Sequence, residues 1–221
     1  MSAPADPKRF KEAVEWFRRR VPITDKQLAA LEASARAKAF WVAGIAQLDV
    51  VNDVWAAIDD AIEKGTTLED FKKTVGDKLE RAWKGTVKDP PRRIETIFRT
   101  NVQTAYSAGR HAQLTEPSIL RTRPYWRLVV TLDSRTTETI CKPLAGTVLP
   151  AESGWWKTHT PPLHFRCRSF IQALRKEDAE ARGITASPPV QKPQEGFGSL
   201  DVWKPDLSKY PEPLAEVFRG R

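Results

Sequence analysis

The chain has 221 residues, 40% hydrophobic and 29% charged, the proportions of a globular protein with room for one or two small domains. Nothing approaches the roughly eighteen uninterrupted apolar residues of a membrane-spanning helix. Met1–Lys11 carries early charge rather than the apolar run of a secretory signal, so the expected setting is the cytoplasm or a particle assembled there. The net charge is +8 and it is unevenly spread: residues 121–175 hold 9 Lys and Arg against 3 Asp and Glu, whereas residues 176–221 hold 7 against 8.

The first half reads as helical. Phe10, Val14 and Phe17 recur at helical spacing with Trp16 alongside, and Pro22 is expected to end that element. Thr24 is placed to cap the next helix, with Gln27 in the capping-box position. The proline-free, alanine-rich run from Asp25 to Lys64 reads as one long helix or two, with a break near Gly44. Leu28, Leu31, Ala35, Ala39 and Val42 keep the helical period, as do Val51, Val54, Trp55, Ile58 and Ile62. Gly65 closes this stretch, and Thr67 with Asp70 opens a helix whose stripe is Leu68, Phe71, Val75, Leu79 and Trp83. After Asp89-Pro90-Pro91 a further helix is expected over roughly Arg92–Leu114.

The pattern changes after Glu116-Pro117. Arg121–Leu132 is rich in β-branched and aromatic residues. Tyr125, Arg127, Val129 and Thr131 alternate with Trp126, Leu128, Val130 and Leu132, as a strand requires. Short strands are expected at Thr147–Leu149 and Arg168–Ala173, separated by loops rich in Gly and Pro. The fold class is therefore α+β. It comprises a mainly helical region over 1–116, a small loop-rich, β-containing basic module over 117–175, and an extended C-terminal segment over 176–221. Within that last segment, Ser187–Leu200 reads as a linker. Asp201–Arg221, with Val202, Trp203, Tyr210, Leu214, Val217 and Phe218, reads as a docking peptide.

One stretch carries chemistry. Cys141, His164 and Cys167 are zinc-ligand types, and the two-residue gap between His164 and Cys167 lets one turn present both side chains to one ion. Asp133 or His159 would supply a fourth ligand, and zinc would then replace part of a core that is small for so many loops. In the competing reading, the cysteines are small buried hydrophobes and His164 is a hydrogen-bonded structural histidine. In the cytoplasm a cysteine pair is expected as free thiols, metal ligands or a catalytic thiol rather than as a disulfide. Arg135, Arg166 and Arg168 either pair with Asp133, which is placed to cap the turn after its strand, or face an anionic partner such as nucleic acid. A metal-dependent enzyme acting on nucleic acid, centred on Asp133, Cys141, His164 and Cys167, is the catalytic alternative. The deaminase signature that would favour it is absent, as is a clear second histidine for a nuclease.

Three segments in this order resemble a known family: RIETIFRTNVQTAYSAGRHAQL at Arg93–Leu114, YWRLVVTLDSRTTETICKPLAGTVLP at Tyr125–Pro150, and PPLHFRCRSF at Pro161–Phe170. The helix with Arg99-Thr100-Asn101 and Gly109-Arg110, the D-x-R-T turn, the lone Cys141 and the P-P-x-H-x-x-C-R ending look like the phage Mu F-like head morphogenesis domain. TTLEDFKKTVGDKLERAW is similar to the helix that leads into it. The resemblance covers about residues 60–175. It implies a non-enzymatic minor protein of a tailed-phage head, acting near the portal vertex in procapsid assembly, with portal, capsid or scaffold proteins and double-stranded DNA as partners. The family includes longer proteins and toxin fusions. The short segment after Lys176 points to the plain head-protein form over a secreted effector, and the expected location is the virion and, during assembly, the host cytoplasm.

Overall fold

The computed structural model describes residues 10–31 and 39–200. The described residues form two compact units, one ending at Ala105 and one spanning Tyr106–Leu200. The chain is α+β, as its pattern predicts. The expected docking peptide at Asp201–Arg221 lies outside the described residues.

The first unit begins with helix α1, Lys11–Arg18, which buries Ala13, Val14 and Phe17. It stops at Arg18, before Pro22, because Val21–Pro22 is a strand, β1. Thr24 caps α2, Asp25–Ala29, through the expected capping box with Gln27. The Asp25–Lys64 run is not one continuous helix: it is broken ahead of Leu48, and the second helix of the expected pair forms from there. Ala39–Phe40 is instead a strand, β2, paired in parallel with β1 in the register Val21↔Ala39 and Pro22↔Phe40. The physical reason lies in the burial of Ala39, Phe40, Val42 and Ile45. When every apolar side chain of a segment is covered, helical spacing no longer separates a helix from an extended chain. Ala35, part of the same expected stripe, lies outside the described residues.

Helix α3, Leu48–Lys64, ends on Gly65 in the left-handed conformation. Helix α4, Leu68–Trp83, opens on the Thr67–Asp70 capping box. The core between these elements is aromatic. Phe17 stacks on Trp55 with centroids 5.5 Å apart and meets Phe40 edge-on at 5.8 Å. Arg18 bridges Asp59 at 2.8 Å and Glu63 at 2.7 Å. This gives the buried Asp59 carboxylate the partner that burial demands. Helix α5 runs over Pro90–Leu114.

The second unit contains the end of α5, a short helix α6 at Pro117–Thr122, and strand β3 at Tyr125–Val129. It continues with one-turn helix α7 at Cys141–Leu144, strand β4 at Val148–Pro150 and one-turn helix α8 at Trp156–His159. Strand β5 at Phe170–Leu174 and helix α9 at Lys176–Arg182 follow. The sheet order is β4-β3-β5, antiparallel throughout, with Trp126 opposite Leu149 on one side and Ala173 on the other. All three strands were expected from the sequence. Helices α6, α7, α8 and α9 were not, because each is too short to show a period.

Trp126 and Leu128 point from β3 into a core shared with Leu144, Leu149, Trp156, Leu163 and Ile171. Full burial of one such leucine contributes about 1.5–3 kcal/mol. Ser187–Leu200, expected as a linker, is extended but docked on this unit. Gln194 N donates to Leu163 O and Gly198 N to Pro162 O, while Thr160 N donates to Gly198 O. His159 Nε2 donates to Gln191 O and Trp155 Nε1 to Pro189 O. No described helix is long and apolar enough to cross a membrane.

Gly44 sits in the turn where the sequence predicts the break, at φ +81°, and an added Cβ there would lie 3.3 Å from the Trp83 ring. That ring is held by its own hydrogen bond, Nε1 to Ala43 O at 3.2 Å. Gly44→Ala is therefore expected to cost about 2 kcal/mol, against about 1 kcal/mol for Gly65→Ala, which shares the positive φ but has open space around it. Denaturant unfolding of the two variants measures the difference, and equal destabilisation would contradict the crowding at Trp83.

Candidate functional site

The site lies on the loops that leave and enter the small sheet. After β3 the chain makes a tight turn at Asp133-Ser134-Arg135-Thr136. Asp133 Oδ1 accepts from Arg135 N at 2.8 Å, and Asp133 N donates to the Thr136 hydroxyl at 2.8 Å. Thr136 Oγ1 in turn donates to Thr131 O at 2.6 Å. This is the Asx-type capping that an aspartate at a strand end favours. The Arg168 guanidinium then grips both carboxylate oxygens, Nη1 to Oδ2 at 2.7 Å and Nη2 to Oδ1 at 2.5 Å, the bidentate fork that fixes a planar partner. The turn after β3 is thereby tied to the segment that leads into β5.

That segment is the Pro161–Ser169 stretch. Cys167 N donates back to His164 O at 3.2 Å, closing a turn in which Arg166 takes the left-handed conformation at φ 60°. For an arginine this conformation costs about 1–2 kcal/mol. The turn sets the His164 and Cys167 side chains beside Cys141, the first residue of α7. Cys141 Sγ is 3.1 Å from His164 Nε2 and 3.9 Å from Cys167 Sγ, and the three ligand atoms lie within 4.8 Å of one another. His164 is half-buried, while both cysteines are buried and free. Arg110, near the end of α5, anchors the neighbouring strand by donating from Nε to Ile171 O at 2.7 Å.

The structure thus brings together three of the four expected metal ligands. Asp133 is not in the group, because its carboxylate is held by Arg168. His159 is also elsewhere: Nδ1 lies by Trp155 O at 3.1 Å and the Thr158 hydroxyl at 2.9 Å, and Nε2 meets Gln191 O at 2.8 Å. Arg135, Arg166 and Arg168 line one small recess with Cys141, His164 and Ser169. Two hydroxyls at the site were missed from sequence. The Thr137 hydroxyl is 2.9 Å from His164 Nε2, and the buried Ser169 hydroxyl is 3.4 Å from Cys141 Sγ. Serine and threonine are too common in loops to have marked either one, although Ser169 follows Cys167 at the alternating position.

Residues 52–172 match the family model described as Phage Mu protein F like protein. The chain belongs to the phage Mu F-like family. All eight candidate site residues, His159 included, fall inside the matched span. A protein of Escherichia phage Mu named as a putative capsid assembly protein F is 33% identical over 192 residues, covering 80% of this chain and 43% of the phage protein. The Mu-like prophage FluMu F protein of Haemophilus influenzae is 36% identical over 164 residues, covering 70% of this chain and 39% of the relative. The Mu F-like chain thus spans less than half the length of these curated relatives. No solved structure matches it.

Charge distribution sharpens the site of this Mu F-like chain. The Cys167 thiol is drawn down to about 3, first by the hydrogen bond from Cys141 and then by His164, against the opposing effect of burial. The same contact and burial push the Cys141 thiol up. His164 is raised, chiefly by Cys167 and further by the Phe165 carbonyl. Hydrogen bonds from Arg168 and from Arg135 N hold the Asp133 carboxyl well below the usual carboxylate range. Because that folded value is depressed, the stabilisation from Asp133 is complete above about pH 4, the unfolded carboxylate's value, and fades as pH falls below it. Thermal unfolding followed from pH 7 down to pH 2 is expected to lose stability through this window in the native chain. Asp133→Asn should show a flatter acid limb, and an unchanged limb would contradict the role given to the Arg168 clamp.

Proposed function

We propose that the chain is an assembly component of a tailed-phage head, a minor protein acting near the portal vertex, and that its basic module contacts packaged double-stranded DNA. The observation that carries the assembly reading is the match of residues 52–172 to the Mu F-like family. The Mu relative in that family is named for capsid assembly. The corresponding partners are the portal protein and the capsid or scaffold proteins. The location is the virion and, during assembly, the host cytoplasm. The role is structural rather than enzymatic: the Asp133 carboxylate, which a metal-dependent reaction on nucleic acid would need, is committed to Arg168.

The DNA contact rests on Arg135, Arg166 and Arg168 around one recess, within a segment that holds 9 basic against 3 acidic residues. Guanidinium groups so placed suit phosphate oxygens, and each phosphate they neutralise releases counterions. Asp133 competes with phosphate for the Arg168 fork.

Deleting the gene from its phage tests the assembly reading. Head intermediates are expected to accumulate on a sedimentation gradient, restored by the gene in trans, and normal yields of filled heads would overturn it. For the DNA contact, the triple variant Arg135→Ala, Arg166→Ala and Arg168→Ala is titrated with duplex DNA across a salt series. The slope of log affinity against log salt is expected to become shallower by about one for each phosphate no longer neutralised. Asp133→Asn should bind more tightly than the native chain. Unchanged slopes in the triple variant would remove DNA from the reading.

A further inference from the structure

We propose that Cys141 Sγ, His164 Nε2 and Cys167 Sγ hold one zinc ion, which clamps the start of α7 to the turn that leads into β5. This goes beyond the assembly reading and does not depend on it. The first argument is spacing. With Zn–S bonds of about 2.3 Å and Zn–N of about 2.0–2.1 Å, a tetrahedral ion sets two thiolates about 3.8 Å apart and a thiolate and imidazole about 3.6 Å apart. The two sulfurs stand 3.9 Å apart, and Cys141 Sγ stands 3.1 Å from Nε2. The sulfur pair therefore needs no movement, and the imidazole needs an outward shift of about half an ångström.

The second argument is the tautomer. His164 Nδ1 lies 2.7 Å from the Phe165 carbonyl oxygen. A carbonyl only accepts, so Nδ1 carries the proton and, in the neutral ring, Nε2 offers its lone pair. A backbone carbonyl on the far nitrogen is the usual support of a metal-binding histidine. The Thr137 hydroxyl at 2.9 Å and the Cys141 thiol at 3.1 Å both approach that one lone pair. One lone pair cannot accept two full hydrogen bonds, whereas an ion takes the Nε2 lone pair together with the sulfurs and frees the Thr137 hydroxyl to border the remaining position. Two soft thiolates with one imidazole select zinc over the hard ions calcium and magnesium. Binding displaces the Cys141 thiol proton to solvent.

The remaining coordination position is bordered by the Ser169 hydroxyl, 3.4 Å from Cys141 Sγ, and by Thr137. We assign it to one of these hydroxyls or to a water they hold. Asp133 is left out of the ligand set, because its carboxylate already carries the Arg168 fork.

The test uses the full chain, purified without a polyhistidine tag and under reducing conditions. Elemental analysis is expected to find one zinc per chain in the native protein and in Asp133→Asn, and less than a tenth of that in Cys141→Ser and Cys167→Ser. Should the serine variants fail to fold, metal exchange in the native chain decides the matter. Chelator-treated protein refilled with cobalt(II) is expected to show tetrahedral ligand-field bands with thiolate-to-metal charge transfer. Zinc added back should raise the melting temperature by about 5 °C or more. No bound zinc together with no uptake by the reduced protein would overturn the proposal. So would a Cys141–Cys167 disulfide that forms in place of metal binding, or loss of zinc in Asp133→Asn.

Discussion

A three-stranded sheet is too small to cover itself, and the second unit is built around that constraint: the larger core packs on Trp126, Leu128 and Leu149, while α9 covers Val148 and Leu174 on the other face through Ala179. Strand β3 lies in the middle, with Trp126 and Leu128 turned inward and Tyr125, Arg127 and Val129 partly exposed. The end of α5 covers part of the inward side through Leu114 and through His111, which meets Trp126 edge-on at 5.5 Å. The rest of the cover comes from the one-turn helices α7 and α8 and the Pro161–Ser169 stretch, contributing Cys141, Leu144, Trp156, Leu163 and Cys167 to the core. Loops held this way lie outside any regular ladder, so side chains add cross-links to their backbone hydrogen bonds. Among these links are the Arg168 fork on Asp133, the Arg110 bond to Ile171 O, the Trp155 and His159 bonds to the docked segment, and the Cys141–His164–Cys167 cluster.

The same constraint explains why structure and candidate chemistry coincide. A cluster that closes loops over a small core must sit where the loops meet. In this chain that meeting point also gathers Arg135, Arg166 and Arg168. The left-handed Arg166 shows the same economy. A glycine there would relax the backbone but would remove one of the three guanidinium groups at the recess. The Mu F-like family match spans the second half of the first unit and most of the second, so the architecture it covers is the helix lead-in together with this loop-clamped sheet.

Much of this was legible in the sequence because it is local. Thr24 with Gln27, Thr67 with Asp70, and Gly65 announce helix ends through contacts within four residues. The alternation around Trp126 and Leu128 announces a strand. Cys141, His164 and Cys167 were recognisable by residue type and by the short gap between the last two. The illegible parts are those set by distant partners. The pairing of Val21 with Ala39 turns a helix-like pattern into a strand. Ser187–Leu200 looks like a spacer because it docks through backbone groups, which leave no mark in composition, aided by Phe197 against Phe165. Asp133 suited a metal by type, but which oxygen acceptor wins Arg168 is decided by where two loops meet in space.

We propose that this chain is built into phage heads as a minor component, and quantitative mass spectrometry of purified procapsids and filled heads, made by the phage that encodes it, checks whether it is there. A few copies per particle, reproducible across preparations, is the predicted result. Absence from procapsids and heads alike, in lysates where the protein is abundant, would contradict it.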